Sequence, residues 1–282
     1  MNQINVYKTY SKYLTNRFGE KVYKLPISLP LTCPNRDGCV GIGGCKANKF
    51  IAYFQNFSNT YLPLEKFKGY ISEAIIEEIV GISISTRPDC INDDYIIFLK
   101  DIKEKYNIEI TIELGLQTVN YHSLIKINRG HSLAEFIDAA LRIKKYGLRV
   151  CAHLILNLPW DDMLDVVENA KVISALNVDE IKLHSLYVVQ GTVLAEEYRN
   201  NQISIISKDE YIERVIIFLE HLNPEIVVQR IIGRAPEENT LFVNWQESWW
   251  KIRDEIVKKM EERKTYQGIR FNYLNGKALK CL

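Results

Sequence analysis

Three cysteines, Cys33, Cys39 and Cys45, share one glycine-rich stretch, Cys33-Pro34-Asn35-Arg36-Asp37-Gly38-Cys39-Val40-Gly41-Ile42-Gly43-Gly44-Cys45, directly after a short apolar run. Thiolates select zinc, copper(I) or iron–sulfur clusters, and Gly41, Gly43 and Gly44 remove the β-carbons that would stop the backbone wrapping around an ion or cluster. In a reducing compartment such a grouping reads as metal ligation rather than as a disulfide framework. The bland alternative is three reduced, unligated thiols in a surface loop. Cys90 and Cys151 stand apart and are expected as small core residues, because free cysteine is among the most buried residue types.

A second set of polar residues falls where β-branched runs end: Thr86, Arg87, Pro88 and Asp89, then Glu113 and Gln117 with Arg129 and His131 beyond, then His153 and Asn157, then Lys182, His184 and Ser185, and finally Gln229 and Arg230. In parallel α/β proteins chemistry sits at the carboxyl ends of strands. Glu113 and Lys182 lie inside otherwise apolar strands, where a charge is costly unless it is paired or faces a polar cavity. They are expected to line a cavity, the structural alternative being a buried ion pair between the two. His153 and His184 hold similar places in successive strands, which points to a shared site.

The elements that must position these groups are legible as strand-sized runs at residues 22–27, 81–85, 108–116, 148–158, 180–189 and 226–232. Helical periodicity appears between them at 93–106, 132–146 and 161–176, with Ser132 and Glu135 as a capping box and Gly147 as the C′ residue of its helix. Six βα units, short of the eight of a closed barrel, predict an α/β fold: a (βα)6 partial TIM-type barrel over residues 1–244. Residues 245–282 are expected as a helical C-terminal extension packed on the barrel, a single domain overall. Ile252, Ile256 and Met260 form its buried stripe, and Trp245, Trp249 and Trp250 serve as core or lid.

Composition narrows the class. Of 282 residues, 47% are hydrophobic and 25% charged, as in ordinary globular proteins. Lys+Arg 36 against Asp+Glu 35 leaves a net charge of +1, and no basic stripe with interleaved aromatics supports a nucleic-acid partner. With no apolar run of about 18 residues and no secretory h-region at the start, a cytoplasmic protein with no membrane partner is expected.

Taken together, the segments resemble the radical S-adenosylmethionine (SAM) superfamily, specifically its YhcC/YtqA-like branch, related to the Elp3 and coproporphyrinogen-dehydrogenase groups. The likeness is carried in order by Cys33-Pro34-Asn35-Arg36-Asp37-Gly38, Gly43-Gly44-Cys45, Tyr53-Phe54-Gln55, Thr86-Arg87-Pro88-Asp89-Cys90, Glu113-Leu114-Gly115-Leu116-Gln117-Thr118, Ile127-Asn128-Arg129-Gly130-His131 and Lys182-Leu183-His184. The resemblance implies a partial barrel with the cluster loop after the first strand and SAM across the strand ends. It also implies a [4Fe–4S] cluster on three thiolates, an electron donor as partner, and a 5′-deoxyadenosyl radical that abstracts hydrogen from a substrate the sequence does not name.

By that resemblance Cys33 and Cys45 are ligands, and Glu113, Gln117 and Arg129 hold the methionyl amine, the ribose hydroxyls and the carboxylate of SAM. Thr86, Arg87, His153, Lys182 and His184 complete the cofactor-binding set. The chain departs from the pattern at two points: Asn48 stands where a third cysteine is expected, and Asn157 where a glycine precedes Leu158-Pro159. Two readings follow. In one, Cys39 becomes the third ligand; in the other, the scaffold is a cluster-less binding protein, or a zinc protein using Cys33, Cys39 and Cys45 with His or water.

Overall fold

The computed structural model describes residues 6–27, 48–55, 58–234 and 238–281. Cys33, Cys39 and Cys45 lie outside the described residues.

Among the described residues, nine strands and nine α-helices alternate along the chain. The strands are β1 (Val22–Ile27), β2 (Lys49–Phe54), β3 (Ile79–Thr86), β4 (Glu109–Gln117), β5 (Arg149–Ile155), β6 (Glu180–His184), β7 (Val188–Val189), β8 (Val227–Arg230) and β9 (Thr240–Phe242). The helices are α1 (Tyr10–Phe18), α2 (Leu64–Glu73), α3 (Asp93–Tyr106), α4 (Tyr121–Lys126), α5 (Leu133–Lys145), α6 (Met163–Ala175), α7 (Val193–Arg199), α8 (Lys208–His221) and α9 (Trp249–Glu262). Seven strands pair in the order β1-β2-β3-β4-β5-β6-β8, while β7 and β9 form a separate antiparallel ribbon. The β1–β2, β2–β3, β3–β4 and β6–β8 pairings are parallel.

The sheet holds one strand more than the six counted from sequence. Lys49–Phe54 reads KFIAYF, an apolar run with four consecutive buried residues. Such a run carries no alternation to mark it as a strand, because both its faces are covered.

The chain separates into two compact units, one of residues 11–115 and 134–152, the other of residues 1–10, 116–133 and 153–282. In the first, Ile82, Ile84, Ile110, Ile112 and Leu114 are buried together with Phe67 and Ile71 of α2, Ile96 and Leu99 of α3, and Phe136 and Ile143 of α5. Helix α3 is closed at both ends. The Asn92 side chain accepts from the Asp94 and Tyr95 amides, and Asn107 ends the helix in the left-handed region at φ 52°. Gly147, at φ 71°, closes α5 as its position suggests. Gly81 lets β3 and β4 approach, since a β-carbon there would lie 2.9 Å from the Glu109 carbonyl oxygen.

In the second unit α8 packs against α6 and α9, burying Ile173, Tyr211, Val215, Phe218, Leu219, Ile252, Ile256 and Met260. Helix α6 begins with a capping box between Asp162 and Asp165. The outer edge of β8 is covered by the segment before α1. The Val228 amide donates to the Lys8 carbonyl at 2.8 Å, and Thr9 bridges to Val228 in parallel. Gln267, 5% exposed, fastens that segment. Its amide donates to the Val6 carbonyl at 2.8 Å, its Oε1 accepts from the Lys8 amide at 2.9 Å, and its Nε2 donates to the Ile226 carbonyl at 2.9 Å.

Between β9 and α9, Asn244, Trp245 and Gln246 are left-handed in succession, at φ 42°, 51° and 60°. Each such non-glycine residue costs about 1–2 kcal/mol, so surrounding contacts must hold the turn. Asn244 is buried, accepts from the Ser185 hydroxyl and donates to the Gly233 carbonyl at 3.2 Å. Trp245 donates from Nε1 to the Ile206 carbonyl at 2.8 Å and packs its ring on Tyr211 and Phe242, with centroids 5.0 and 5.5 Å away.

Candidate functional site

In the first unit, strand register builds a polar face across four strands. Pro26 of β1 is level with Tyr53 of β2, and Tyr53 with Ser83 of β3. Ser85 of β3 is level with Glu113 of β4. Because side chains alternate faces along a strand, Lys24, Tyr53, Ser85 and Glu113 can converge while Ile84, Ile112 and Leu114 face the core. The Glu113 side chain is 0% exposed. One of its oxygens meets Lys24 Nζ at 2.6 Å; the other accepts from the Tyr53 hydroxyl at 2.9 Å and from the Ser85 hydroxyl at 3.2 Å.

Burial first, and the neighbouring Glu113 charge second, push the Tyr53 phenol upward, so it stays a donor at all ordinary pH. Lys24 Nζ also lies 4.6 Å above the Tyr53 ring. Lys24 was outside the set expected from sequence. Its one signal there is a lysine inside an otherwise apolar strand, the same anomaly that marked Glu113 and Lys182.

Thr86 and Arg87 take other partners. By alternation Thr86 faces away from Ser85, and its hydroxyl lies 2.5 Å from that of Thr60. Arg87 forks onto Asp89, Nε to Oδ1 at 2.9 Å and Nη2 to Oδ2 at 2.6 Å, an orientation that pre-aims a planar guanidinium at the end of β3. Cys151 is buried and Cys90 is half-buried.

In the second unit the His153 and His184 rings stand 5.2 Å apart. Arg230 of β8 joins them, its Nη2 2.8 Å from His184 Nδ1. Lys182, 5% exposed, is the register partner of Arg230. The guanidinium packs close against Gly233, where a β-carbon would approach Arg230 Cζ at 3.1 Å. Arg129 donates from Nε to His131 Nε2 at 2.8 Å, leaving His131 Nδ1 to face the Ser132 carbonyl at 3.3 Å. Gln117 ends β4 at φ 77°, a strained backbone for a non-glycine residue.

Asn157, the unexpected residue before Leu158-Pro159, is fully buried. Its Oδ1 accepts from the Leu186 amide at 2.7 Å, and its Nδ2 has no partner among the described residues. The Leu156 carbonyl beside it accepts from Arg214 of α8 at 3.1 Å. Asp161, three residues beyond Leu158, is bonded by the Ser123 hydroxyl, yet burial outweighs that bond and pushes its carboxyl above the usual range.

Residues 48–173 match the model of the Radical SAM superfamily, and residues 178–262 match that of the Radical_SAM C-terminal domain. YtqA of Bacillus subtilis is 34% identical, covering 96% of this chain and 95% of its own length. The chain belongs to the radical SAM superfamily. Within it the chain falls in the YhcC/YtqA branch: the MJ0486 protein of Methanocaldococcus jannaschii is 31% identical over 94% of this chain and 92% of its own length, and YhcC of Escherichia coli 30% over 88% and 90%.

Among solved structures, Methanocaldococcus infernus Elp3 lacking its N-terminus superposes with a TM-score of 0.69 at 18% identity. The match covers 87% of this chain and 64% of that one, and it establishes the partial TIM-type barrel for this radical SAM chain. No helix among the described residues is long and apolar enough to cross a membrane.

Proposed function

We propose that this chain binds a [4Fe–4S] cluster through Cys33, Cys39 and Cys45 and cleaves SAM reductively to abstract hydrogen from a substrate. The observation that carries the reading is the donor set. Three cysteines share one glycine-rich stretch of the sequence of a radical SAM chain, and Cys39 supplies the sulfur that Asn48, just ahead of β2, does not. A soft, three-thiolate set with a glycine-rich backbone fits such a cluster. A cluster held by Cys33, Cys39 and Cys45 would supply one-electron reduction of SAM, the chemistry that cleaves its sulfonium to methionine and a 5′-deoxyadenosyl radical.

The chain's own residues bind and orient. Glu113, held by Lys24 and Tyr53, offers negative charge to the methionyl amine. Gln117 serves the ribose hydroxyls and Arg129 the carboxylate, for which a guanidinium fork is well shaped. The unused donor of Asn157 suits a polar edge of the cosubstrate, in the place where the family carries glycine. His153, Lys182, His184, Thr86 and Arg87 supply the remaining polar contacts around cosubstrate and substrate.

Asn48 in place of a cysteine favours one second reading, a cluster-less or zinc-binding protein on the same scaffold. Anaerobic reconstitution with iron and sulfide separates the two. About four irons per chain, lost in Cys39→Ala, together with 5′-deoxyadenosine formed on adding SAM and dithionite, support the enzyme. Colourless stoichiometric zinc, or iron content indifferent to Cys39→Ala, rejects the three-thiolate cluster.

A further inference from the structure

We propose that the pocket between the left-handed turn and the start of α9 binds a flat aromatic ring that carries an oxyanion. The inference goes beyond the reading above and uses residues of one unit only, so it does not depend on the cysteine loop. The pocket measures about 500 Å³ and is lined by Arg234, Val243, Gln246, Ser248, Trp249 and Trp250 among others. That is the scale of a small-molecule site; its lining is mostly polar, with Val243, Trp249 and Trp250 as the apolar wall.

Two independent features give the ligand its chemistry. Trp250 is 47% exposed although the helix it begins buries Ile252, Ile256 and Met260 efficiently, so its indole is not needed by the core. A large rigid aromatic left at a pocket wall offers a stacking surface at low entropic cost. The charge beside it is positive. Arg234 lines the pocket, Lys251 Nζ lies 5.7 Å from the Trp250 ring, and Arg253 Cζ lies 5.3 Å from the Trp249 ring. Glu247, which itself lines the pocket, is paired with Lys208 at 2.8 Å, and Asp254 takes up Arg253 at 2.7 Å, so the cations that serve a ligand here are Arg234 and Lys251. Ser248 precedes α9 without making a side-chain cap bond, which leaves its hydroxyl for the pocket.

The wall is also fixed in shape. Asn244 ties the turn to Ser185, just past β6, and to Gly233, just past β8, so the pocket is referenced to the strand ends where ligands of parallel sheets bind. Three strained residues held by this many contacts make a preorganised surface.

The test uses the full chain and follows tryptophan fluorescence with phenyl phosphate, phenol and inorganic phosphate as probes. Phenyl phosphate is expected to quench saturably and to bind at least about tenfold more tightly than either fragment. Trp250→Ala should abolish the effect, and Arg234→Gln should weaken phenyl phosphate to the level of phenol, both variants keeping the parental melting temperature. Benzoate binding more tightly than phenyl phosphate would identify the oxyanion as a carboxylate and support the site equally. No saturation by either aromatic anion, inorganic phosphate binding as tightly as phenyl phosphate, or parental affinity in both variants would overturn the proposal.

Discussion

The Tyr53 hydroxyl of β2 and the Glu113 carboxylate of β4 meet at 2.9 Å across the intervening strand β3, with Lys24 closing the second carboxylate oxygen at 2.6 Å. A wholly buried carboxylate is tolerable only with such company. The cation comes from β1, the strand immediately before the cysteine stretch, so the charge state of the interior is coupled to the placement of that strand.

Glu113→Gln should therefore destabilise the protein by about 3 kcal/mol, because Lys24 keeps its charge after the partner is removed. Lys24→Met should cost a similar amount, and the double variant clearly less than the sum, as chemical denaturation will report. Strict additivity would show that the pair is not coupled.

Tyr53→Phe should cost about 1 kcal/mol near neutral pH through the lost hydrogen bond. The alkaline range gives the sharper result. The folded phenol is raised above its unfolded value, so the folded state binds the proton longer and stability falls as pH climbs from about 10. The variant lacks this loss, and its denaturation midpoint should decline less steeply there than the parent's.

Asp161 behaves in the same sense at lower pH. Its carboxyl is raised by burial, so the folded state retains a proton that the unfolded chain has released, and stability falls as pH rises through that interval. Asp161→Asn should gain on the parent as pH rises above the ordinary carboxylate range, read as the difference in unfolding free energy. A constant difference would mean that the Ser123 bond fully offsets burial.

At Asn244 two effects can be separated. Alanine loses both side-chain bonds and keeps the left-handed strain, whereas glycine loses the bonds but relieves the strain through its backbone freedom. Asn244→Ala should cost about 3 kcal/mol and Asn244→Gly about 1 kcal/mol less. Equal losses would place the whole contribution in the side chain.

How far the sequence could be read follows from period and reach. Helices α3, α5 and α9 were legible because their buried residues recur at helical spacing, and Gly147 marked an end because a left-handed residue was needed there. β2 was hidden by its lack of alternation. The His153 and His184 pairing was legible because successive parallel strands place equivalent positions side by side. Lys24 beneath Glu113, Gly233 beneath Arg230 and the Asn244 turn were not, since each depends on register or on backbone angles that residue type alone does not set.

Gln267 has a practical consequence. A chain cut after α9 would lose the latch from the Val6–Thr9 segment and bare the hydrogen-bonding row of β8, inviting chains to pair through it. Such a truncation should come off a sizing column as dimers and larger species while its helical content, by circular dichroism, falls only slightly. Affinity tags are accordingly better carried on a long spacer, clear of the place where Val6 and Gln267 are stitched together.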